Sequence, residues 1–141
     1  MKENKAEHDQ LFNCLVEANQ KWAYRAPVLL LSVAALQFED GSPNRHALYD
    51  TGMAAENLVI QATALGLVAH QMAGFDIDRA RADCRIPDGY EPVAMMAVRY
   101  PGDPALLSDR LRAREVQPRV RKPFTEFVYS ATWEQPSPLL P

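Results

Sequence analysis

Basic side chains cluster in one short stretch of the sequence. Six of the fifteen lysines and arginines lie there, at Arg110, Arg112, Arg114, Arg119, Arg121 and Lys122. Arg119 and Arg121 alternate, so an extended backbone places both side chains on the same side. Two guanidinium groups on one side suit a phosphate monoester, because each donates two parallel hydrogen bonds. The pattern predicts either a phosphate site or a solvated basic face without a ligand.

Side chains that act as nucleophiles or metal ligands show no comparable clustering. The sequence contains no G-x-S-x-G, H-E-x-x-H, C-x-x-C or Walker A motif. His8, His46 and His70 are scattered, and we interpret His70 as a structural histidine rather than a catalytic one. Cys14 and Cys84 lack metal-ligand spacing and are interpreted as reduced, partly buried thiols. The sequence therefore predicts no metal site and no catalytic side chain.

A third feature is a glycine in the stretch HQMAGFD, residues 70–76. The chain leaves an apolar run through Gly74, and no side chain beside it has the character of a catalytic group. Because glycine lacks a Cβ atom, another group can approach its backbone closely. The residues alone leave open what approaches it.

Length, charge and hydropathy limit the classes of protein to consider. The 141 residues favour one domain, and a formal net charge of -3 gives no general attraction for nucleic acid. No apolar run approaches the roughly 20 residues that span a bilayer. The first residues, KENKAEHDQ after Met1, are too polar for a secretory signal. We therefore expect a cytoplasmic protein that binds neither membranes nor nucleic acids.

Apolar periodicity predicts the first elements that position these residues. Apolar side chains spaced three and four apart predict a helix over Glu7–Arg25. A short apolar run predicts a strand over Pro27–Ala35, buried on both faces. The strongest helical pattern covers Ala47–Leu65, where many small residues and little charge predict burial on most sides. We expect this helix at the centre of the fold or in a dimer interface, with Gly66 ending it.

Shorter elements follow. Leu67–Met72 and Val93–Tyr100 are predicted strands, and Asp76 is the predicted N-cap of a helix over Ile77–Cys84. A further helix is predicted over Ala105–Arg114. Helices alternating with strands indicate an α/β or α+β fold.

The end of the sequence differs from the rest. Prolines interrupt residues 117–141, which carry no core pattern of their own. We therefore expect a core over residues 1–116 and an extended tail over residues 117–141 that packs on the core or on a partner subunit.

Several stretches, in this order and spacing, resemble the nitroreductase family of FMN-dependent oxidoreductases. The resemblance covers about nine-tenths of the chain. The matching stretches are LVEANQKWAYRAPVLL (residues 15–30), NRHALYDTGMAAENLVIQATALGL (44–67), HQMAGFD (70–76), IPDGYEPVAMMAVRYPGD (86–103) and PRVRKPFTEFV (118–128). The resemblance implies an α+β fold, a mixed sheet flanked by helices, in an intertwined homodimer. In such a dimer the Ala47–Leu65 helix is the central interface helix, and the tail wraps the other subunit.

The resemblance also implies a site. Met72, Ala73 and Gly74 correspond to a loop whose backbone N–H groups face the N5 and O4 edge of FMN. Arg119 and Arg121 match the basic pair that meets the FMN phosphate. By this resemblance NAD(P)H (NADH or NADPH) reduces the flavin, which reduces a nitro compound, a quinone or a similar acceptor.

One departure from the family bears on these implications. The family's N-terminal segment, with an Arg-x-Ser-x-Arg-like motif for the FMN phosphate, has no counterpart here, so we expect an N-terminally truncated form. The chain is then a fragment, or a short variant that retains FMN, or a cofactor-free remnant that acts as a dimeric binding or scaffold module.

Overall fold

The computed structural model describes residues 4–139, which fall into two compact units, one ending at Pro101 and one beginning at Gly102. The first unit contains, in chain order, α1 (Lys5–Cys14), α2 (Glu17–Ala23), β1 (Val28–Ala35), α3 (Ala47–Ala64), β2 (Val68–Met72), α4 (Ile77–Asp83) and β3 (Tyr90–Arg99). The second contains a 3-10 helix (Pro104–Leu106), α5 (Asp109–Glu115) and another 3-10 helix (Phe124–Glu126). Helices around an antiparallel sheet confirm the predicted α+β class. The predicted division between residues 116 and 117 stays a prediction.

The sheet determines how the first unit is layered. Its strands are antiparallel in the order β1-β3-β2, so β3 is central. Met95 of β3 lies opposite Leu31 of β1 and Met72 of β2 and is 0% exposed. Side chains of α1, α2 and α4 share the core cluster with Met95. Because adjacent strand residues point to opposite faces, Met96 faces the other layer, on which α3 packs.

The single helix predicted over Glu7–Arg25 is wrong. Leu15 and Val16 are extended and separate α1 from α2. Leu15 forms an isolated antiparallel bridge with Phe75, far along the chain. The local pattern favours a continuous helix, but pairing with a distant segment overrides helix propensity at these two residues.

The burial predicted for β1 on both faces is also wrong, although the strand itself is confirmed. Leu29 is 8% exposed, but Val28 and Leu30 are 45% and 36% exposed. β1 is an edge strand whose second face is only partly covered. A continuous apolar run does not distinguish this arrangement from full burial.

α3 confirms the predicted helix to within one residue, but its predicted burial on most sides is wrong in this chain. Its buried residues are Ala47 and Ala62. Tyr49 and Ile60 are 68% and 59% exposed. Apolar composition indicates that the surface of a helix is buried, but it does not show whether the same chain or another chain buries it. Gly66 follows the helix at a φ of +73°, as expected of a glycine that ends a helix.

The remaining elements lie near their predicted positions. The Asp76 side chain caps α4 by accepting a hydrogen bond from the Arg79 N–H at 2.9 Å, which confirms the predicted cap. β3 begins at Tyr90, earlier than the predicted start at Val93. The predicted Ala105–Arg114 helix is interrupted, because an extended backbone separates the first 3-10 helix from α5. No helix within residues 4–139 combines the length and apolar character that a membrane span requires.

Candidate functional site

The loop between β2 and α4 presents backbone rather than side chains. Met72 and Phe75 anchor it, because both side chains lie in the core cluster, 3% and 8% exposed. Ala73 is exposed and Gly74 is half-buried between these anchors. The side chain of Met72 therefore points into the core, and only its main chain is available at the loop.

Hydrogen bonds fix this loop to the junction between α1 and α2. The Gly74 carbonyl accepts hydrogen bonds from the Val16 N–H at 3.1 Å and from Asn19 Nδ2 at 3.0 Å. The Asp76 N–H donates to the Cys14 carbonyl at 2.8 Å. These bonds lie on both sides of the bridge between residues 15 and 75. The extended residues between α1 and α2 therefore pair with the loop.

The reason for a glycine at position 74 is close packing. A Cβ atom built on Gly74 would lie 2.8 Å from Asn19 Nδ2 and 2.9 Å from Val16 Cγ2. Both distances are shorter than normal contacts, and the β-branched valine has little freedom to move. The glycine allows close approach as the sequence predicts, and the group that approaches within the chain is the start of α2.

The Ala73 and Gly74 amides are donors of this loop without an acceptor among residues 4–139, and Gly74 is the half-buried one of the two. The Phe75 N–H donates to the Ala73 carbonyl at 3.1 Å, which closes a tight turn. The Gly74 N–H has no hydrogen-bond acceptor among residues 4–139. A half-buried backbone donor without a protein partner suits a ligand that presents a hydrogen-bond acceptor. Backbone N–H donors of this kind fit the edge of a planar heterocycle that carries hydrogen-bond acceptors.

The side chains next to the loop do not supply a nucleophile. Trp22 of α2 makes an edge contact with His70 of β2, their ring centres 4.8 Å apart. Cys14 is 1% exposed, and burial followed by the negative charge of Asp83 raises the pKa of its thiol. A thiol with a raised pKa stays protonated at neutral pH and is a poor nucleophile. Residues 4–139 contain no group of three or more His, Cys, Asp or Glu arranged for a metal ion.

Arg119 and Arg121 belong to the second unit. Both are exposed and lie in a segment without helix or strand. Arg121 Nη1 donates to the Val120 carbonyl at 3.2 Å, and the Arg112 Nη2 donates to Asp109 at 2.9 Å. Met72, Ala73 and Gly74 are adjacent in the first unit. The assignment of all five residues to one ligand stays a prediction.

A groove of about 370 Å³ lies elsewhere in the first unit, between α3 and the sheet. Ala54 and Leu58 line it from α3, and Leu30 and Met96 line it from the sheet. Ser32 also lines it, but its Oγ donates to the Ala94 carbonyl at 2.9 Å. The groove is mainly apolar and differs from the loop in offering few polar groups to a ligand.

Sequence reasoning found Gly74 and missed Asn19 and Val16, which position it. Asn19 looks like any polar residue of a predicted helix. Its role arises from a partner 55 residues away. The only local signal is weak: β-branched Val16 is a poor helix former near the point where the helix breaks.

Comparison with known proteins identifies relatives of this chain. A family model described as the nitroreductase family matches residues 1–102. An uncharacterized 15.4 kDa protein in the ask 5′ region of Mycolicibacterium smegmatis is 35% identical over 122 residues, 86% of this chain and 82% of the relative.

Solved structures resemble the chain as well. The crystal structure of an oxidoreductase containing FMN is 32% identical, with a TM-score of 0.86, over 94% of this chain and 68% of that one. A nitroreductase family protein from Clostridium difficile 630 is 22% identical, with a TM-score of 0.62, over 94% of this chain and 71% of that one. At that identity the second likeness establishes the fold alone.

Proposed function

The chain belongs to the nitroreductase family, and on that premise we propose that it is a flavin-dependent oxidoreductase that binds FMN. The similar oxidoreductase that contains FMN supports this choice of cofactor. The observation that carries the proposal is the Gly74 N–H, a donor without an acceptor among residues 4–139, in a loop whose adjacent peptide groups are held by hydrogen bonds.

The proposed chemistry divides between cofactor and protein. Bound FMN supplies hydride and electron transfer between a reduced nicotinamide and an acceptor. The Gly74 N–H donates a hydrogen bond to the edge of the flavin ring where negative charge increases on reduction. A donor fixed in advance stabilises that charge without reorganisation during the reaction. Ala73 and the main chain of Met72 complete this contact, and no side chain acts as acid or base.

Arg119 and Arg121 are proposed to bind the phosphate of FMN. Two guanidinium groups with one residue between them donate several charge-assisted hydrogen bonds to a dianionic phosphate. Their side chains are exposed, so a phosphate can reach them. The resemblance to the family's basic pair supports this assignment over a solvated basic face.

The proposed reductant is NADH or NADPH, and the proposed acceptor is a nitro compound, a quinone or a similar molecule. Reduced nicotinamides are cytoplasmic metabolites, which favours a cytoplasmic site of action. Cys14 and Cys84 are free thiols, which is typical of a reducing compartment.

We propose that the active form is a homodimer built on α3. Leu48, Tyr49, Met53 and Ile60 of this helix are between 50% and 68% exposed. Exposed apolar surface of this kind marks a protein interface. A second copy of the chain is the partner that the family resemblance favours, and the same helix from each copy would form a two-fold interface.

The test is to mix the purified chain with FMN, remove free FMN, and record the absorbance, the mass of the complex, and bleaching by NADH or NADPH without oxygen. We expect a yellow dimer that a nicotinamide bleaches. The double variant Arg119→Ala, Arg121→Ala should bind FMN at least tenfold more weakly, because two charged hydrogen-bonding groups are lost, each contributing about 1.5–3 kcal/mol.

The matched control is Arg110→Ala, Arg114→Ala, which removes the same charge from α5. The phosphate assignment is wrong if both double variants lose the same affinity, since that result indicates a general charge effect. A colourless dimer at saturating FMN would contradict the flavin proposal. It would favour a cofactor-free binding or scaffold module.

A further inference from the structure

The carbonyl of Gly74 receives two hydrogen bonds from one short segment. The Val16 N–H donates at 3.1 Å and Asn19 Nδ2 donates at 3.0 Å. The first donor is main chain and is present whatever residue stands at position 16. The second depends on the amide group of a single half-buried side chain. Asn19 is therefore the one side chain among residues 4–139 that holds this carbonyl.

Holding this carbonyl restrains the Gly74 amide through the next peptide group. The Gly74 carbonyl and the Phe75 N–H lie in one peptide plane, and that N–H in turn holds the Ala73 carbonyl, which shares a plane with the Gly74 N–H. Each peptide group is planar, so the direction of a carbonyl sets the direction of the following N–H. The Ala73 carbonyl accepts from the Phe75 N–H at 3.1 Å. The Gly74 N–H lies in the same peptide plane and points in the opposite direction, away from the Phe75 N–H. The bonds to the Gly74 carbonyl hold the next plane. Together they restrict both backbone torsions of Gly74.

Without these bonds a glycine is the residue most free to rotate. It adopts backbone conformations that other residues avoid, and it loses the most freedom when fixed. The half-buried position alone does not choose one orientation of the amide. The hydrogen bond from Asn19 does choose one orientation, because Asn19 belongs to α2, and α2 packs in the core through Ala23.

We propose that Asn19 is a positioning residue that holds the Gly74 N–H in the orientation that donates to the ring of bound FMN. The inference rests on the proposed function, because it requires FMN at this loop. Asn19 itself does not contact the cofactor. It acts through the Gly74 carbonyl and keeps the donor in place before the ligand arrives, which lowers the ordering cost of binding.

The variant Asn19→Asp tests this, because it keeps the size of the side chain and removes the donor. A carboxylate next to the Gly74 carbonyl is also repulsive. We expect FMN affinity to fall by about 2- to 12-fold, the range for one lost hydrogen bond. We also expect a lower midpoint potential, because a donor at the ring edge favours the reduced form. A tenfold larger loss for reduced than for oxidised FMN equals about 30 mV.

The matched control is Gln20→Glu in the same helix. Gln20 Nε2 donates to the Phe12 carbonyl at 3.2 Å, so this change removes a similar side-chain bond that does not reach the loop. A merely structural role for Asn19 predicts that both variants lower the Tm and leave the potential of bound FMN unchanged. The proposal predicts a lower potential for Asn19→Asp and also for the neutral Asn19→Ser, whereas an effect of the added charge alone would appear in Asn19→Asp only.

The Gly74 amide can also be observed directly. The chain has six glycines, and the Gly74 cross-peak can be assigned in a 15N correlation spectrum by triple-resonance connectivity to Ala73 and Phe75. FMN should shift this peak in the parent protein and shift it less in Asn19→Asp. If Asn19→Asp does not fold, Asn19→Ser decides the question, since its hydroxyl is too short to reach the carbonyl.

The outcomes separate the two proposals. If the parent binds FMN and Asn19→Asp has the parent's affinity, potential and spectral shift, the positioning role is wrong and the flavin proposal stands. If the parent binds no FMN, the flavin proposal is wrong and this inference falls with it.

Discussion

The two faces of the sheet differ in how this chain covers them. On one face α1, α2 and α4 close a core around Met95, with Cys14, Ala23 and Ala80 at 1% exposure or less. On the other face α3 leaves a groove of about 370 Å³, and Leu58 in its lining is 38% exposed. The candidate loop belongs to the closed face. The proposed dimer helix belongs to the open one.

The two faces of the first unit therefore serve different purposes. The closed face holds the loop in place with bonds and contacts that the chain supplies itself. The open face keeps small side chains such as Ala54 and Ala55 toward the groove and apolar side chains toward solvent. Interior packing of the closed face should be sensitive to changes in volume, whereas the open face should tolerate them.

The largest expected effect comes from adjacent methionines on the two faces. Met95→Ala should lower the free energy of unfolding by about 2–5 kcal/mol, because a close-packed core collapses poorly around a cavity. Met96→Ala should cost less, since Met96 is 6% exposed and faces the α3 layer with its groove, whereas Met95 lies in the core cluster of the closed face. Urea denaturation of both variants measures the difference, and equal losses would remove the contrast between the faces.

A smaller effect is expected from adding volume. Ala80→Leu on α4 should cost about 1–3 kcal/mol, because Ala80 is 0% exposed and no space receives the larger side chain. Ala54→Leu on α3 should cost less than Ala80→Leu, since Ala54 is exposed at the groove of its own chain. Thermal and urea unfolding report both values. A cost at Ala54 as large as that at Ala80 would contradict an open groove.

The smallest expected effect is a pH dependence that only the closed face should show. Burial raises the pKa of Cys14 above the ordinary value of 9.0, so the folded state holds the thiol proton more tightly than the unfolded state. The contribution of this thiol is complete below pH 9.0 and is lost as the pH rises through the folded pKa. Stability should therefore decline above pH 9 in the parent protein.

The variant Cys14→Ala should flatten this decline, and Cys84→Ala should leave it in place. Chemical denaturation at a series of pH values between about 8 and 10.5 measures the slope, a window on either side of the ordinary pKa of a thiol. A parent slope retained in full by Cys14→Ala would assign the decline to another group.

Much of the first unit could be predicted from sequence, because its signals are local. Periodicity located α3, Gly66 marked its end, and Asp76 marked the start of α4. The sequence also singled out Gly74. These features depend on residues within a few positions of one another, which is the range over which propensity and capping act.

The rest could not be predicted, because its causes are distant in sequence. Leu15 and Val16 leave the helical conformation to pair with the loop, and several apolar side chains of α3 are exposed within residues 4–139. The role of Asn19 depends on the same pairing. In each case the prediction used local composition, whereas the helix boundary or the burial depends on tertiary contacts.

The bond between Asn19 and Gly74 joins residues 55 positions apart. Closing such a long segment is entropically costly and becomes favourable only with the other long-range contacts of the unit. We therefore expect the loop to acquire its orientation together with the core rather than before it. Amide hydrogen exchange at Val16 and Asp76, whose N–H groups span the junction, should consequently be as slow as that of the central strand. Competence to bind a ligand at Gly74 would then be gained and lost with the whole unit rather than by local motion of the loop.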